Sequence, residues 1–181
     1  MQIPKAISGI YQKMNWLKYY NTENVRKIQN PYASSGRESY QCFGCSPNNP
    51  IGLQMEFWTE GEVVIAKWMP RKSLEGFMDL LHGGIQATLL DEIASWAVQT
   101  VCKTVGVTVS MVISYRSPVR ISAGEVSLRA TIKESGTRMA IVETELIGND
   151  GKLCASAVVK YFLFNPEKAS KEYFYPGADS F

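Results

Sequence analysis

A helix candidate over residues 84–103 most constrains the fold of this chain, because apolar side chains occupy most of its circumference. On a wheel of about 100° per residue they leave only one polar arc. A helix that is apolar nearly all round is buried nearly all round. The sequence therefore predicts a helix enclosed by other elements. The apolar residues on the wheel are Ile85, Leu89, Leu90, Ile93, Ala94, Trp96, Ala97, Val98 and Val101.

Segments with β-strand patterns stand on both sides of this helix. The stretch "GLQMEFWTEGEVVIAKWMP" holds two strand-like runs around Glu60-Gly61, which indicates a hairpin. Residues 70–81 are predicted to be a loop. Three β-rich segments follow residue 106, and the last divides at Asp150-Gly151, a dipeptide that favours a hairpin turn. One long helix among antiparallel strands predicts an α+β domain with the sheet curled around the helix.

The length of 181 residues predicts a single domain with additions at its ends. Residues 1–40 are predicted to be an N-terminal helical extension and linker, because apolar residues recur at nearly helical spacing before a run of turn formers. Residues 41–165 are predicted to form the domain itself. Residues 166–181 are predicted to be a C-terminal tail.

Composition excludes several classes of partner. The formal net charge is +2 and basic residues form no cluster, so nucleic-acid binding is not expected. The N-terminus lacks the apolar stretch of a signal peptide, and no apolar run approaches the roughly 20 residues that cross a bilayer. We therefore expect a cytoplasmic protein without membrane insertion. Its four cysteines are then expected to be thiols rather than a disulfide framework.

The start of the helix carries the most unusual residues. His82, the single histidine, precedes Gly83 and Gly84. Glycine inside a helix costs about 1 kcal/mol relative to alanine, but at the first turn it lets a ligand approach unpaired backbone N–H groups. The helix dipole also favours negative charge there, including charge that develops on a carbonyl oxygen.

Two adjacent acids, Asp91 and Glu92, lie at the two borders of the polar arc. The wheel does not choose between them, and an arc that simply faces water is the alternative. His82 precedes Asp91 by nine residues, which is about 900° of rotation and roughly 13 Å along a helix. One chain does not direct both groups at one atom, whereas two antiparallel helices do. A functional role for this motif therefore predicts a dimer with sites at the subunit interface.

The spacing of His82-Gly83-Gly84 and Asp91 resembles that of hotdog-fold acyl-CoA thioesterases, particularly the phenylacetate-degradation (PaaI-like) type. The resemblance covers residues 41–164. It is strengthened by "CFGCSPNNPIGL" before the first strand, "YRSPV" at the end of the third strand and "GTRMAIVETELIGNDGKLCASAVVKYF" at the end of the domain. It implies a hotdog fold, a homodimer or dimer of dimers, and hydrolysis of an acyl-CoA thioester to free acid and CoA without a cofactor.

The resemblance also implies roles for individual residues. Asp91 takes the position of the catalytic carboxylate, acting as general base or as nucleophile. The backbone N–H of Gly83 or Gly84 from the neighbouring chain becomes the oxyanion donor. His82 helps to place the carbonyl or the water, and Thr108 matches a hydroxyl that assists the water in some members.

Substrate contacts are less sharply indicated. Arg116, Arg120 and Arg138 flank turns that the family places near the CoA channel, with ordinary surface charge as the alternative. Trp96 lines an acyl pocket or belongs to the core, and aromatic, short and medium acyl chains all remain open. Some relatives carry an amide side chain six residues before the histidine, where this chain has Gly76.

Cys42 and Cys45 form a single Cys-x-x-Cys motif without a second pair or a nearby histidine, so we expect a structural turn and no metal. The alternative function is a non-catalytic acyl-CoA-binding protein of the same fold. The combination of the glycine pair with an acid argues against it. A dehydratase of this fold is disfavoured because the proline-rich context expected after its histidine is absent.

Overall fold

The structure is a computed structural model that describes residues 25–34 and 40–181. In these ranges the helices are α1 (Pro31–Ser34), α2 (Gly83–Val101) and α3 (Pro166–Tyr173). The strands are β1 (Val25–Lys27), β2 (Glu56–Glu60), β3 (Val63–Trp68), β4 (Glu75–Phe77), β5 (Leu80–Leu81), β6 (Gly106–Tyr115), β7 (Val126–Ser135), β8 (Met139–Ile147) and β9 (Leu153–Leu163). Short 3₁₀ turns lie at Lys72–Leu74, Ile121–Ala123 and Ala178–Ser180.

Seven strands form one antiparallel sheet in the order β1-β2-β3-β7-β8-β9-β6. Helix α2 packs against five of them, β3, β6, β7, β8 and β9. Side chains alternate between core and outer face, as in a sheet with one buried face. Along β8 and β9 the alternating buried positions are Ala140, Val142, Thr144, Leu146, Ala155, Ala157, Val159, Tyr161 and Leu163, and Cys154 is buried as well, beside an irregularity in the register. The predicted α+β fold, a sheet around one central helix, is confirmed.

The central helix is buried as its apolar wheel predicts. Leu89, Leu90, Ile93, Ala94 and Ala97 have no solvent exposure. Removing such a side chain leaves a cavity that the surrounding sheet cannot fill, at a cost of about 2–5 kcal/mol for leucine to alanine. The helix is thus held by its packing, and the residues on its polar arc are held in fixed positions.

Two segments differ from the sequence prediction. The predicted loop at 70–81 contains a 3₁₀ turn and a small hairpin of β4 and β5. Val25–Lys27, at the end of the helical pattern, instead pair with β2 at the sheet edge. The rest of that helix candidate lies outside the described residues. Local spacing missed β1 because its partners on β2 are 31–35 residues away in sequence.

The C-terminal tail packs against the core. Asn165 caps α3 by accepting a hydrogen bond from the Lys168 N–H at 2.8 Å. Phe181 lies edge-on to the Trp96 ring, with 5.8 Å between ring centroids. The last residue therefore covers the central helix. Among the described helices, none has the length and apolar character needed to span a membrane.

Candidate active site

Asp91 is half-buried on α2, and two hydroxyl groups hold its carboxylate. Thr108 Oγ1 donates a hydrogen bond to Oδ1 at 2.8 Å, and Tyr161 donates to the same oxygen at 3.0 Å. Within the described residues no hydrogen bond reaches Oδ2. The carboxylate therefore has one fixed oxygen and one available to an incoming molecule.

Tyr161 belongs to this group, although the sequence analysis did not select it. It pairs with Thr108 across β9 and β6, and its hydroxyl also lies 3.0 Å from the Asp91 backbone carbonyl. Burial, together with the Asp91 charge, raises the pKa of Tyr161 well above its usual value, so the phenol stays a donor. The sequence feature that could have identified Tyr161 is a tyrosine at an inward-facing position of a strand, because a buried hydroxyl needs a hydrogen-bond partner.

Glu92, the next residue, faces different surroundings. Trp96 donates its indole N–H to Oε1 at 3.1 Å, and the Cys42 sulfur lies 3.6 Å from the same oxygen. Burial, with a smaller contribution from the Cys42 charge, raises the pKa of the Glu92 carboxyl to about 7. The structure thus separates two acids that the helical wheel leaves equivalent.

The beginning of α2 is capped by His82. Its backbone is extended (φ −56°, ψ 135°), and its Nδ1 accepts a hydrogen bond from the Gly84 N–H at 2.9 Å. Because Nδ1 is an acceptor here, the proton of the neutral ring is on Nε2. The Gly83 N–H has no acceptor among the residues at 25–34 and 40–181. Of the two predicted oxyanion donors, Gly83 is the one left available in this chain.

Tyr115 and Gly76 surround this helix start. The Tyr115 hydroxyl donates to the Gly83 carbonyl at 2.9 Å, which ties the end of β6 to the first turn of α2. A methyl group on Gly76 would lie 3.2 Å from His82 Cδ2. Gly76, six residues before the histidine, therefore adjoins the imidazole ring and supplies no side-chain donor there.

The carboxylate and the helix start form two separate groups. Gly83 and Asp91 are eight residues apart, which is about 12 Å along α2. Edge strand β6 contacts both, through Thr108 near its beginning and Tyr115 at its end. A single chain therefore holds these two groups, the candidate half-sites, at different places.

The three arginines predicted to contact CoA lie at two different ends of the sheet. Arg116 directly follows β6, and Arg120 forms a 3.3 Å ion pair with Asp79 just before β5. Both lie at the end of the sheet beside the start of α2. Arg138 lies in the β7–β8 turn at the opposite end, where its carbonyl accepts from the Leu163 N–H. One chain does not bring the three together.

Trp96 is placed in the core. Its ring stacks on Phe57 with 4.9 Å between centroids, and Phe181 covers it edge-on. Only 1% of its surface is exposed. Its indole N–H donates a hydrogen bond to Glu92. These contacts favour a role for Trp96 in the core rather than in the wall of an open acyl pocket.

Comparison with known proteins places the chain in a family. A family model described as the thioesterase superfamily matches residues 78–155, which contain both half-sites except Tyr161 and Gly76. Mouse thioesterase superfamily member 2 is 31% identical in its solved structure, with 57% of this chain and 82% of that chain covered and a TM-score of 0.52. The chain belongs to the thioesterase superfamily. Hydrolysis of thioesters is therefore its class of activity.

Two further solved structures share the hotdog fold of this thioesterase. The PaaI protein of the E. coli phenylacetic acid degradation operon is 16% identical, covering 62% of this chain and 81% of that chain, with a TM-score of 0.57. A hypothetical thioesterase of Streptococcus pneumoniae, solved with coenzyme A, is 18% identical over 57% of this chain and 79% of that one, with a TM-score of 0.54. The family resemblance predicted from sequence is confirmed.

Proposed function

We propose that this thioesterase hydrolyses acyl-CoA, with Asp91 of one chain and the Gly83 N–H of a second chain acting on the same thioester. The observation that carries the proposal is the Asp91 carboxylate, oriented by Thr108 and Tyr161 through one oxygen while the other stays available. The coenzyme A held by the Streptococcus pneumoniae relative supports CoA as the leaving group.

In the proposed reaction, Asp91 Oδ2 takes a proton from water as the water oxygen attacks the thioester carbonyl. Negative charge then develops on the carbonyl oxygen, and the Gly83 N–H at the positive end of α2 stabilises it. Collapse of the tetrahedral intermediate breaks the C–S bond, and the CoA thiolate leaves and takes up the proton. Direct attack by the carboxylate, followed by hydrolysis of the anhydride, uses the same groups.

His82 contributes in two ways. Its Nδ1 holds the Gly84 N–H, which fixes the first turn and leaves the Gly83 N–H pointing outward. Its Nε2–H is a second donor for the carbonyl or the water. Both follow from one tautomer of the ring, so the proposal needs His82 neutral.

A two-fold dimer through β6 unites the half-sites. β6 is a terminal strand of the seven-stranded sheet, and a ten-residue edge is a ready template for pairing with another chain. If two copies pair antiparallel about an axis near Met111 and Val112, Thr108 of one chain lies opposite the partner's Tyr115. This places Asp91 near the partner's Gly83, and the arginines of both regions around one channel.

The direct test is hydrolysis of a panel of phenylacetyl-, short-chain and medium-chain acyl-CoA, with released thiol as the readout. The proposal expects turnover of at least one member by the wild-type protein and its loss in Asp91→Asn. Tight binding of acyl-CoA without turnover across the panel would instead support the non-catalytic alternative.

A further inference from the structure

A second cluster of reactive side chains lies on a different face of α2 and takes no part in the proposed hydrolysis. It consists of Cys42, Cys45 and Glu92, whose possible ligand atoms all lie within 4.8 Å of one another. We propose that these three side chains bind one zinc ion, which fastens the loop before β2 to the central helix.

The separation between the Cys42 sulfur and the Glu92 carboxylate fits a shared zinc ion. Sγ lies 3.6 Å from Oε1 and 3.7 Å from Oε2. Zinc bonds of about 2.3 Å to sulfur and about 2.0 Å to oxygen, at a tetrahedral angle, place the two ligand atoms about 3.5 Å apart. Cys42 and Glu92 can therefore bind the ion with only a small movement of either side chain, and the Cys45 sulfur lies within 4.8 Å of both ligand atoms.

The loop is shaped to receive the carboxylate. A methyl group on Gly44, inside the Cys-x-x-Cys motif, would overlap with the Glu92 carboxyl group. The glycine thus allows Glu92 to lie directly against the two cysteines. Trp96, fixed in the core, donates its N–H to Oε1, the kind of outer hydrogen bond that orients a metal-binding carboxylate.

Charge also favours a cation here. No lysine, arginine or histidine among the described residues forms an ion pair with Glu92. Two thiolates and a carboxylate brought together in a largely buried position need protons or a cation, because unpaired buried charge is costly. Thiolate sulfur with carboxylate oxygen is a ligand set suited to zinc.

The proposed site departs from the expectation of no metal, which rested on the two cysteines alone. Glu92 supplies the third ligand from a helix 47 residues beyond Cys45 in sequence. Three protein ligands and a water are an established zinc arrangement. The fourth position falls to water or to the Tyr40 hydroxyl, which shares a 3.0 Å hydrogen bond with the Cys45 sulfur.

The test is a zinc titration of the full chain, stripped of metal under reducing conditions, against a chromophoric chelator. Wild-type protein should bind one zinc per chain. Cys42→Ser and Glu92→Gln should each weaken binding by more than about 100-fold, beyond the range typical of outer hydrogen-bond partners. Cys102→Ser is the matched control, because that thiol lies outside the cluster, and should bind zinc as the wild type does.

A second measurement needs no variant, in case a substitution prevents folding. Alkylation of the wild-type protein with and without zinc is mapped by mass spectrometry. Zinc should protect Cys42 and Cys45 and leave the labelling of Cys102 and Cys154 unchanged. The proposal is overturned if wild-type protein binds no stoichiometric zinc, if binding survives Cys42→Ser, or if zinc leaves the labelling of Cys42 and Cys45 unchanged.

Discussion

Thr108 donates a 2.8 Å hydrogen bond to Asp91 Oδ1, so edge strand β6 and central helix α2 meet at the proposed catalytic carboxylate. Tyr161 binds the same oxygen from β9. Three elements thus fix one side chain, while the start of α2 lies about 12 Å away along the helix. The account of a site shared between two chains rests on this separation.

Asp91→Asn should abolish most of the activity. The amide can still accept from Thr108 and Tyr161 but cannot take a proton from water or attack the carbonyl. We expect kcat to fall by roughly 10²–10⁴ with KM changed little. Steady-state kinetics on the best acyl-CoA of the panel measures this, and Asp150→Asn, in the exposed β8–β9 turn, is the control that should behave like wild type.

Glu92→Gln tests whether Glu92, the acid next to Asp91, takes part in catalysis. It should lower the melting temperature of the zinc-loaded protein while costing far less kcat than Asp91→Asn, since Glu92 contacts Cys42 and Trp96 rather than the proposed substrate. If Glu92→Gln is the inactive variant and Asp91→Asn is active, the catalytic assignment is wrong by one residue.

The Thr108 hydroxyl should matter more than the volume of its side chain. Thr108→Val keeps a β-branched side chain but removes a hydrogen bond to a charged group, worth about 1.5 kcal/mol or more. We expect kcat to fall by about 10-fold, as that energy implies. Thr108→Ser retains the hydroxyl and should stay within a few-fold of wild type. Equal losses in both variants would contradict an orienting role.

Gly83→Pro should remove the oxyanion donor and leave the fold intact. Proline is tolerated at the first helical position, and His82 already has the extended backbone that a following proline requires. Loss of one such donor should reduce kcat by roughly 10²–10³. Gly83→Ala keeps the N–H and should cost much less. Circular dichroism checks that both variants retain the helix, and an active Gly83→Pro enzyme would exclude this donor.

Dimerisation through β6 predicts that Val112→Asp separates the subunits. Val112 is 70% exposed and would lie near the two-fold axis, where two aspartates would repel each other across the strands. Sedimentation should find a monomer with little activity. Thr131→Lys, exposed on β7 opposite Glu143, adds a charge within the sheet rather than at its edge and should remain dimeric. An active Val112→Asp monomer would contradict the shared site.

Sequence patterns predicted the central features well because periodicity reports burial directly. The helix expected over residues 84–103 is α2, and the turn at Asp150-Gly151 separates β8 from β9. Strand β1 was missed because its pairing partner is distant in sequence, and the β4–β5 hairpin because strands of three and two residues are too short to show an alternating pattern.

The site was harder to predict, since its contacts join residues far apart in sequence. A wheel places Asp91 and Glu92 on the polar arc but does not reveal that Thr108 faces one and Cys42 the other. The pattern of β9 indicates that Tyr161 faces inward, but only the β6–β9 register places it beside Thr108 and Asp91. The choice between Gly83 and Gly84 depended on the His82 ring, whose hydrogen bond engages the second N–H.

Mixing two inactive variants tests the shared site most directly. In a mixed dimer of Asp91→Asn and Gly83→Pro, one site contains both substitutions and the other contains neither. Random exchange of equal amounts makes half of the dimers mixed, so about a quarter of wild-type activity should return. Each variant alone should stay inactive under the same exchange conditions. If verified mixed dimers recover no activity, Asp91 and Gly83 act within the same chain and the shared-site account is contradicted.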